Sequence, residues 1–296
     1  MSVKIFYGKQ TAEGTAATVL TDLGATDFSG GEKYNSVKSE TFNSLQAEGD
    51  QFLIGIETSF DTPVEWNAKV LESILSALGY AKVGEETHYK LTAAEPAFFT
   101  ILVSDSLNNK KTVYKDCKVN TFSLNAAKGA LVNGSLSWIG TTAEFQSGIV
   151  TESAATNRGE SLVAIDSIIE LGGTAVTADV ESVTLEINNN LEAKGSIDSL
   201  YTKKIRRSAP QATTTKLEFN SYDQARFEAI KTKAIANASE NLTITLVDGD
   251  KTILIEVPKL YISDSSRGDY KGAGSHSLSM TASINNADNT PAKFTF

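Results

Sequence analysis

Residues 242–257 read LTITLVDGDKTILIEV, and this stretch decides the fold class. Apolar and polar residues alternate on both sides of Asp248-Gly249-Asp250. A period of two is typical of strands that bury one face and expose the other. Asp-Gly between two such runs predicts a β-hairpin, because glycine accepts the positive φ that a tight turn requires.

The same alternation recurs outward from this hairpin. Val183, Leu185 and Ile187 are separated by Thr184 and Glu186, which predicts a strand with one polar face. In the first half of the chain, two β-rich segments, 98–103 and 113–124, flank a polar turn. The sequence therefore predicts a mainly β protein with hairpins in both halves.

Each half also contains one predicted helix. Thr62-Pro63-Val64-Glu65 has the pattern of a capping box with proline at the first helical position, and apolar residues follow at helical spacing up to Leu78. Gly79 is placed to end this helix. In the second half, Ser221-Tyr222-Asp223-Gln224 predicts another capping box, ahead of an apolar stripe that ends at Ala234.

Three ordered matches between the halves indicate an internal duplication. Residues 37–42 match 180–185, and 45–49 match 191–195; the third match pairs 135–138 with 277–280. Their offsets lie close to half the chain length, as a tandem repeat requires. We therefore predict two tandem β-sandwich or barrel domains, each flanked by one α-helix. The predicted divisions are a first domain 1–145 with an N-terminal extension 1–27, a linker 146–164, and a second domain 165–296 with a basic insert 201–210.

Composition and charge argue against several function classes. The chain has 296 residues and a net charge of −9, whereas general binding to a nucleic-acid backbone needs a basic surface. Its one cysteine and two histidines allow neither an internal disulfide nor a convincing transition-metal site. The N-terminal residues do not resemble a signal peptide and no segment is long enough to span a membrane, so we expect assembly in a cytoplasm.

No segment predicts an active site. Asp248-Gly249-Asp250 lacks the glutamate of a calcium loop, and His276 stands between two serines without the context of a catalytic nucleophile. The expectation is a protein with no catalytic residue, no metal ligand and no cofactor.

Four segments, in this order along the chain, resemble the tail tube (major tail) proteins of long-tailed bacteriophages. They are residues 180–189, then 216–219 leading into Tyr222-Asp223 and Phe227, then 253–260, and finally 272–284. The resemblance implies a structural virion protein whose β-sandwich domains close into six-domain rings. Stacked rings would form a tail tube, the conduit for DNA ejection, through which DNA passes without specific binding.

The resemblance also implies partners and surfaces. Because each chain would supply two domains, we expect three chains in a pseudo-six-fold ring, together with other tail proteins, assembled in the host cytoplasm into the virion tail. The polar strand faces are expected to line the lumen, and the basic insert to contact the adjacent ring. The expected lumen-facing residues are Ser135, Ser137, Thr184 and Glu186; the expected inter-ring residues are Tyr201, Lys203, Lys204, Ile205, Arg206 and Arg207.

Two other classes remain open from the sequence. A different β-rich virion or surface module, such as a capsid decoration protein or an adhesin, would share the alternating strands; an adhesin would stay monomeric and bind a glycan. A carbohydrate-active enzyme would need a cleft with two carboxylates at catalytic separation. The basic insert likewise has a simpler interpretation as a solvated loop, since most charge runs face water.

Overall fold

A computed structural model shows a protein built mainly of antiparallel strands. It describes residues 3–38, 51–84, 87–108, 110–145, 159–248, 251–268 and 274–296. Strands account for 62% of the structure and helices for 9%, so the predicted mainly β class is confirmed.

The described residues of the first half form ten strands and one helix. The strands are β1 (Val3–Lys9), β2 (Thr21–Asp22), β3 (Ser29–Lys38), β4 (Gln51–Glu65), β5 (Tyr80–Lys82), β6 (His88–Leu91), β7 (Phe99–Asp105), β8 (Lys110–Ala127), β9 (Asn133–Gly140) and β10 (Thr142–Phe145). Helix α1 (Ala68–Ile74) continues into a 3-10 turn at Leu75–Leu78.

In the second half, the part of the chain that the structure describes also forms ten strands and one helix. The strands are β11 (Val163–Leu171), β12 (Thr174–Ala175), β13 (Val180–Asn188), β14 (Leu191–Ser196), β15 (Ser199–Arg207), β16 (Ala212–Phe219), β17 (Glu240–Asp248), β18 (Lys251–Gly268), β19 (Ser275–Ala282) and β20 (Lys293–Thr295). Helix α2 spans Gln224–Ile235.

Eight strands form one continuous antiparallel sheet, which we call the long sheet. Its order is β3-β4-β9-β8-β13-β16-β19-β18. The first four strands come from the first half of the chain and the last four from the second. The pairing of β8 with β13 joins the two halves, from Thr121↔Asn188 to Ala127↔Ser182.

A second layer covers one face of the long sheet. Here β2, β1 and β7 lie beside the first part of β8, and β12, β11 and β17 lie beside the first part of β18. The 18-residue strands β8 and β18 each run through both layers. Between the layers, one hydrophobic cluster spans both halves and includes Trp66, Trp138, Leu185 and Phe294.

Strand β1 changes the interpretation of the N-terminal segment. We expected residues 1–27 to be an extension, but Val3–Lys9 pair along their whole length with Phe99–Asp105 of β7. The apolar run Ile5-Phe6-Tyr7 is buried in this pairing. Strand β11 pairs with β17 in the same manner, so β1 belongs to the body of the first half.

The predicted start of the first helix is wrong. Thr62-Pro63-Val64-Glu65 continues β4 and pairs with β9, so these residues do not cap a helix. The helix instead begins after Asn67, whose side-chain oxygen accepts a hydrogen bond from the Val70 N–H at 2.9 Å. The β9 ladder accounts for the difference, because the local capping preference competes there with strand pairing along the whole stretch. Gly79 does end the helical segment, at φ 84°.

The second helix begins two residues later than the capping box predicts. Asp223, not Ser221, is the N-cap, and its carboxylate accepts hydrogen bonds from the N–H groups of Ala225 and Arg226. Ile230 is buried as the stripe predicts, but Ala234 is exposed.

The hairpin at 242–257 is confirmed by its pairings. Strand β17 runs antiparallel to β18 with Asp248↔Lys251 as the last pair, which leaves a two-residue connection. Gly249 and Asp250 themselves lie outside the described residues. So does most of the predicted linker, residues 146–158, while β11 already begins at Val163.

The order of pairing is the same in the two halves: β3-β4-β9-β8 in the first and β13-β16-β19-β18 in the second. A register shift interrupts the β8–β9 ladder at Asn120 and the β18–β19 ladder at Ser263. The match of 135–138 with 277–280 therefore joins strands in corresponding places. Duplication of a whole domain stays a prediction.

The other two sequence matches do not follow these registers. Ser137 is paired with Asp61, which is paired in turn with Ser29. In the second half, Ser279 is paired with Lys216, which is paired in turn with Thr184. Ser29 thus corresponds to Thr184, whereas the match of 37–42 with 180–185 had aligned Val37 with Val180. Part of that match, and all of 45–49, lies outside the described residues.

Candidate functional site: a polar sheet face with two edges

All four predicted lumen residues lie on the same face of the long sheet. Ser135 of β9 faces Ser123 of β8, which in turn faces Glu186 of β13. The Ser123 and Ser135 hydroxyl oxygens are 3.0 Å apart. The sequence did not predict that these residues from separate halves would become neighbours, because it does not show the β8–β13 pairing.

The remaining two residues continue this face. The Thr184 hydroxyl donates to the Asn125 side-chain oxygen at 3.2 Å, and the Ser137 hydroxyl donates to the Asp61 carboxylate. Asn125 and Asp61 belong to the same face but were missed in the sequence analysis. Alternation in 58–65 and 121–127 was the signal that could have identified them.

The opposite face of the same strands is apolar and closed. Leu136, Trp138 and Leu185, which alternate with the polar residues, are at most 1% exposed. The Trp138 indole N–H donates to the Thr62 hydroxyl oxygen at 2.9 Å, so even its polar atom is satisfied. Alternation therefore fixes which face packs against the second layer and which faces outward.

The polar face carries more carboxylates than cations. By strand register, its acidic side chains are Glu57, Asp61, Glu65, Glu186, Glu218 and Asp264, and its cations include Lys33 and Lys216. Lys216 is held 2.7 Å from Glu218, which offsets its charge. This face would repel a polyanion more than it attracts one.

The long sheet ends in two strand edges. Among the described pairings, β3 is joined to β4 alone, and residues 261–268 of β18 are joined to β19 alone. The corresponding edge of β8 is different, because β13 covers it inside the chain. Open strand edges present unpaired N–H and C=O groups to any other strand.

The predicted basic insert is a strand and not a loop. Residues 199–207 form β15, which pairs with β14 and touches β4 at Tyr201↔Ile56. In the first half, β3 and β4 stay paired as far as Lys38↔Gln51. That residues 201–210 are an insert found in the second half alone stays a prediction.

The six predicted inter-ring residues have different environments. Lys203, Lys204 and Arg206 are exposed, and Tyr201 is 43% exposed. Ile205 is buried within the chain at 5%, and its carbonyl accepts from Lys118 Nζ at 3.4 Å. Arg207 donates to the Asn189 side-chain oxygen at 3.1 Å. Ile205 and Arg207 thus stabilise the base of the hairpin.

His276 lies in an aromatic cluster beside the β18 edge. Its ring contacts Phe219, Tyr222 and Phe227, and its Nε2 atom is 2.8 Å from the Ser265 hydroxyl. Burial lowers the pKa of His276, and the nearby Arg226 guanidinium lowers it further. The surroundings are those of a packed neutral imidazole.

Cys117 is equally enclosed. Its side chain is fully buried, and burial raises the pKa of the thiol well above its usual range. A buried neutral thiol is a poor nucleophile. Within the described ranges, no group of three or more His, Cys, Asp or Glu side chains could hold a metal ion.

The fold and its polar face can now be compared with known proteins. A family model for phage tail tube proteins matches residues 2–293, nearly the whole chain. The chain belongs to the phage tail tube protein family. Comparison with curated proteins yields no significant match.

Membership confirms the resemblance drawn from the sequence. Phage tail tube proteins are structural components of the virion tail and are not an enzyme family. In the part of the chain that the structure describes, no helix is long and apolar enough to cross a membrane.

Proposed function

We propose that this tail tube protein closes into rings of three chains, which stack into a tube for DNA ejection. The observation that carries the proposal is the β8–β13 pairing. It joins two four-stranded sheets of identical pairing order edge to edge, and it leaves β3 and β18 as the outer edges. Repeating that junction between chains would cover the β3 edge of one chain with the β18 edge of the next. In a closed ring, neither of these edges would stay open.

Three chains with two like halves each would give six similar sheets around the axis. Native mass spectrometry of the smallest stable ring tests this stoichiometry, and negative-stain microscopy tests the ring shape. A mass of three chains supports the proposal; a ring of six chains, or a monomer at high concentration, contradicts it. A stable monomer would favour the adhesin class.

The polar face of the long sheet would line the lumen. Its side chains are mostly hydroxyls, amides and carboxylates, with Ser135, Ser137, Thr184 and Glu186 among them, and they offer DNA few cations. The buried side of the sheet faces the second layer; in the proposed ring that layer lies on the outside and the polar face on the inside. DNA could then slide through without tight binding, since non-specific affinity comes from phosphate neutralisation by lysine and arginine.

Hairpin β14–β15 would contact the adjacent ring. Its projecting residues include Tyr201, Lys203, Lys204 and Arg206, whose cations suit the acidic surface of another copy. Exposed ion pairs contribute only about 0.2–1 kcal/mol each, so we expect them to set register more than affinity.

Charge reversal tests the inter-ring role. The variant Lys203→Glu/Lys204→Glu/Arg206→Glu should still form rings, but its tubes should be shorter in electron micrographs. Arg207→Glu serves as the contrast: it breaks the bond to Asn189 and should lower the melting temperature. Tubes of normal length from the triple variant would show that the hairpin cations are only solvated.

A further inference from the structure

The two outer edges of the long sheet carry opposite charges at corresponding places. We infer that neighbouring copies of this chain join through a β18–β3 strand pair of defined register, with Asp264 of one copy opposite Lys33 of the next. This inference rests on the proposed ring and adds to it the residues that select the partner strand.

The register follows from the pairing inside the chain. Ser137 of β9 faces Thr121 of β8, and Ser279 of β19 faces Asp264 of β18, so Asp264 corresponds to Thr121. At the opposite edge of each four-stranded unit, Ser29 of β3 corresponds to Thr184 of β13. Ser29 is linked to Ser137 by its pairing with Asp61, and Thr184 is linked to Ser279 by its pairing with Lys216.

Within the chain, Thr121 pairs with Asn188, four residues beyond Thr184. Four residues beyond Ser29 is Lys33, and neither ladder shifts register over that distance. Copying the internal junction between two chains therefore places Asp264 opposite Lys33. Both side chains are exposed and lie on the polar face.

The next residues give a second opposite-charge contact on the other face. Ser265 corresponds to Phe122 and would stand opposite Glu32, which corresponds to Ile187. Arg267, two residues further along β18, lies on the same face as Ser265 and diagonal to Glu32. Its guanidinium is 4.1 Å from the centroid of the Tyr222 ring, which holds it beside the edge.

The β8–β13 junction inside the chain has uncharged residues where the proposed β18–β3 junction has opposite charges. Its corresponding pairs are Thr121–Asn188 and Phe122–Ile187, which are neutral. The internal junction needs no selection because the chain itself connects its strands. A junction between separate molecules must be found by diffusion, and opposite charges favour the correct edge and register over others.

Charge exchange tests the Asp264–Lys33 contact. Lys33→Glu alone and Asp264→Lys alone should each raise the concentration for half-maximal ring assembly about tenfold, because like charges opposite one another destabilise a strand pair. The double variant Lys33→Glu/Asp264→Lys restores the pair in reverse and should assemble at a lower concentration than either single variant, although residue 33 then also faces Glu57 within its own chain. Lys216→Glu is the matched control for Lys33→Glu. It replaces the same cation by the same carboxylate on the polar face, but on a strand that forms neither edge.

Cysteine pairs test the register directly. The only native cysteine, Cys117, is buried, so introduced thiols can be followed on non-reducing gels. Lys33→Cys/Asp264→Cys should give disulfide-linked multimers on mild oxidation. Asn35→Cys/Asp264→Cys, shifted by two residues on the same face, should give few.

The outcomes separate the two proposals. If the wild-type protein forms no rings, the proposed function fails. If rings form but the shifted cysteine pair cross-links better, or the double charge variant is not restored, the assignment of this junction is overturned and the ring stands.

Discussion

At the scale of single residues, close packing in the long sheet is most demanding at Gly134. A Cβ atom at this position would lie 1.9 Å from the Ser123 carbonyl oxygen and 2.6 Å from the Trp66 indole nitrogen. That nitrogen donates to the same carbonyl oxygen at 3.1 Å, so neither atom can move without losing the bond.

Gly134→Ala should therefore lower the free energy of unfolding by about 1–3 kcal/mol, the usual cost of overpacking. Urea denaturation measures the change. Gly195→Ala is the control, since a Cβ there meets nothing within 4 Å, and it should stay within about 0.5 kcal/mol of the wild type. Equal stability of the two variants would contradict the packing described around Trp66.

His276 gives a residue-scale prediction on pH. Because burial and Arg226 lower its pKa in the folded protein, the unfolded chain binds the proton more readily. Stability should then fall as pH decreases below the ordinary histidine pKa of about 6.5. His276→Phe, which keeps a ring against Phe219, should remove this part of the pH dependence. The measurement is the urea midpoint of the wild type and of His276→Phe at pH 7.5 and 5.5. An equal change of midpoint between the two pH values in both proteins would contradict the prediction.

At the scale of elements, helix α2 tests which residue is the cap. Asp223→Ala removes the acceptor for two backbone N–H groups and should destabilise the protein by about 0.5–2 kcal/mol. Ser221→Ala, at the position that the sequence pattern favoured, should change stability by less than about 0.5 kcal/mol. Thermal unfolding compares the two, and a larger effect at Ser221 would restore the original capping assignment.

At the scale of the whole molecule, the duplication has a direct test. An experimental structure of the assembled tube would allow the two halves to be superposed. We expect β3, β4, β9 and β8 to overlay on β13, β16, β19 and β18, with α1 on α2. Strands that overlay in another order would show that the shared pairing order arose without duplication.

The lumen assignment is also a property of the whole assembly. Ser135→Lys/Thr184→Lys/Glu186→Lys adds cations to the polar face without touching either edge. Such rings should retain DNA in a salt-dependent gel-shift assay, whereas wild-type rings should not. Lys203→Glu/Lys204→Glu/Arg206→Glu rings, altered on the hairpin, should behave as the wild type does. Failure of the lysine rings to retain DNA would place this face outside the lumen.

The sequence by itself determined the strand content, the buried face of each strand and the hairpin at 242–257. These follow from local alternation, because a period of two decides which side chains share a face wherever the strand lies. The same reasoning placed Ser135, Ser137, Thr184 and Glu186 on polar faces, and the structure brings them together.

Only the tertiary structure decided which strands are neighbours. The β8–β13 junction, the packing of β1 on β7 and the role of residues 201–207 as a strand depend on contacts between distant segments. Alternating strands present similar edges to one another, so pairing is chosen by the side chains and chain connections of the whole fold. For the same reason Thr62–Glu65 joined a sheet ladder, although its local pattern favoured a helix cap.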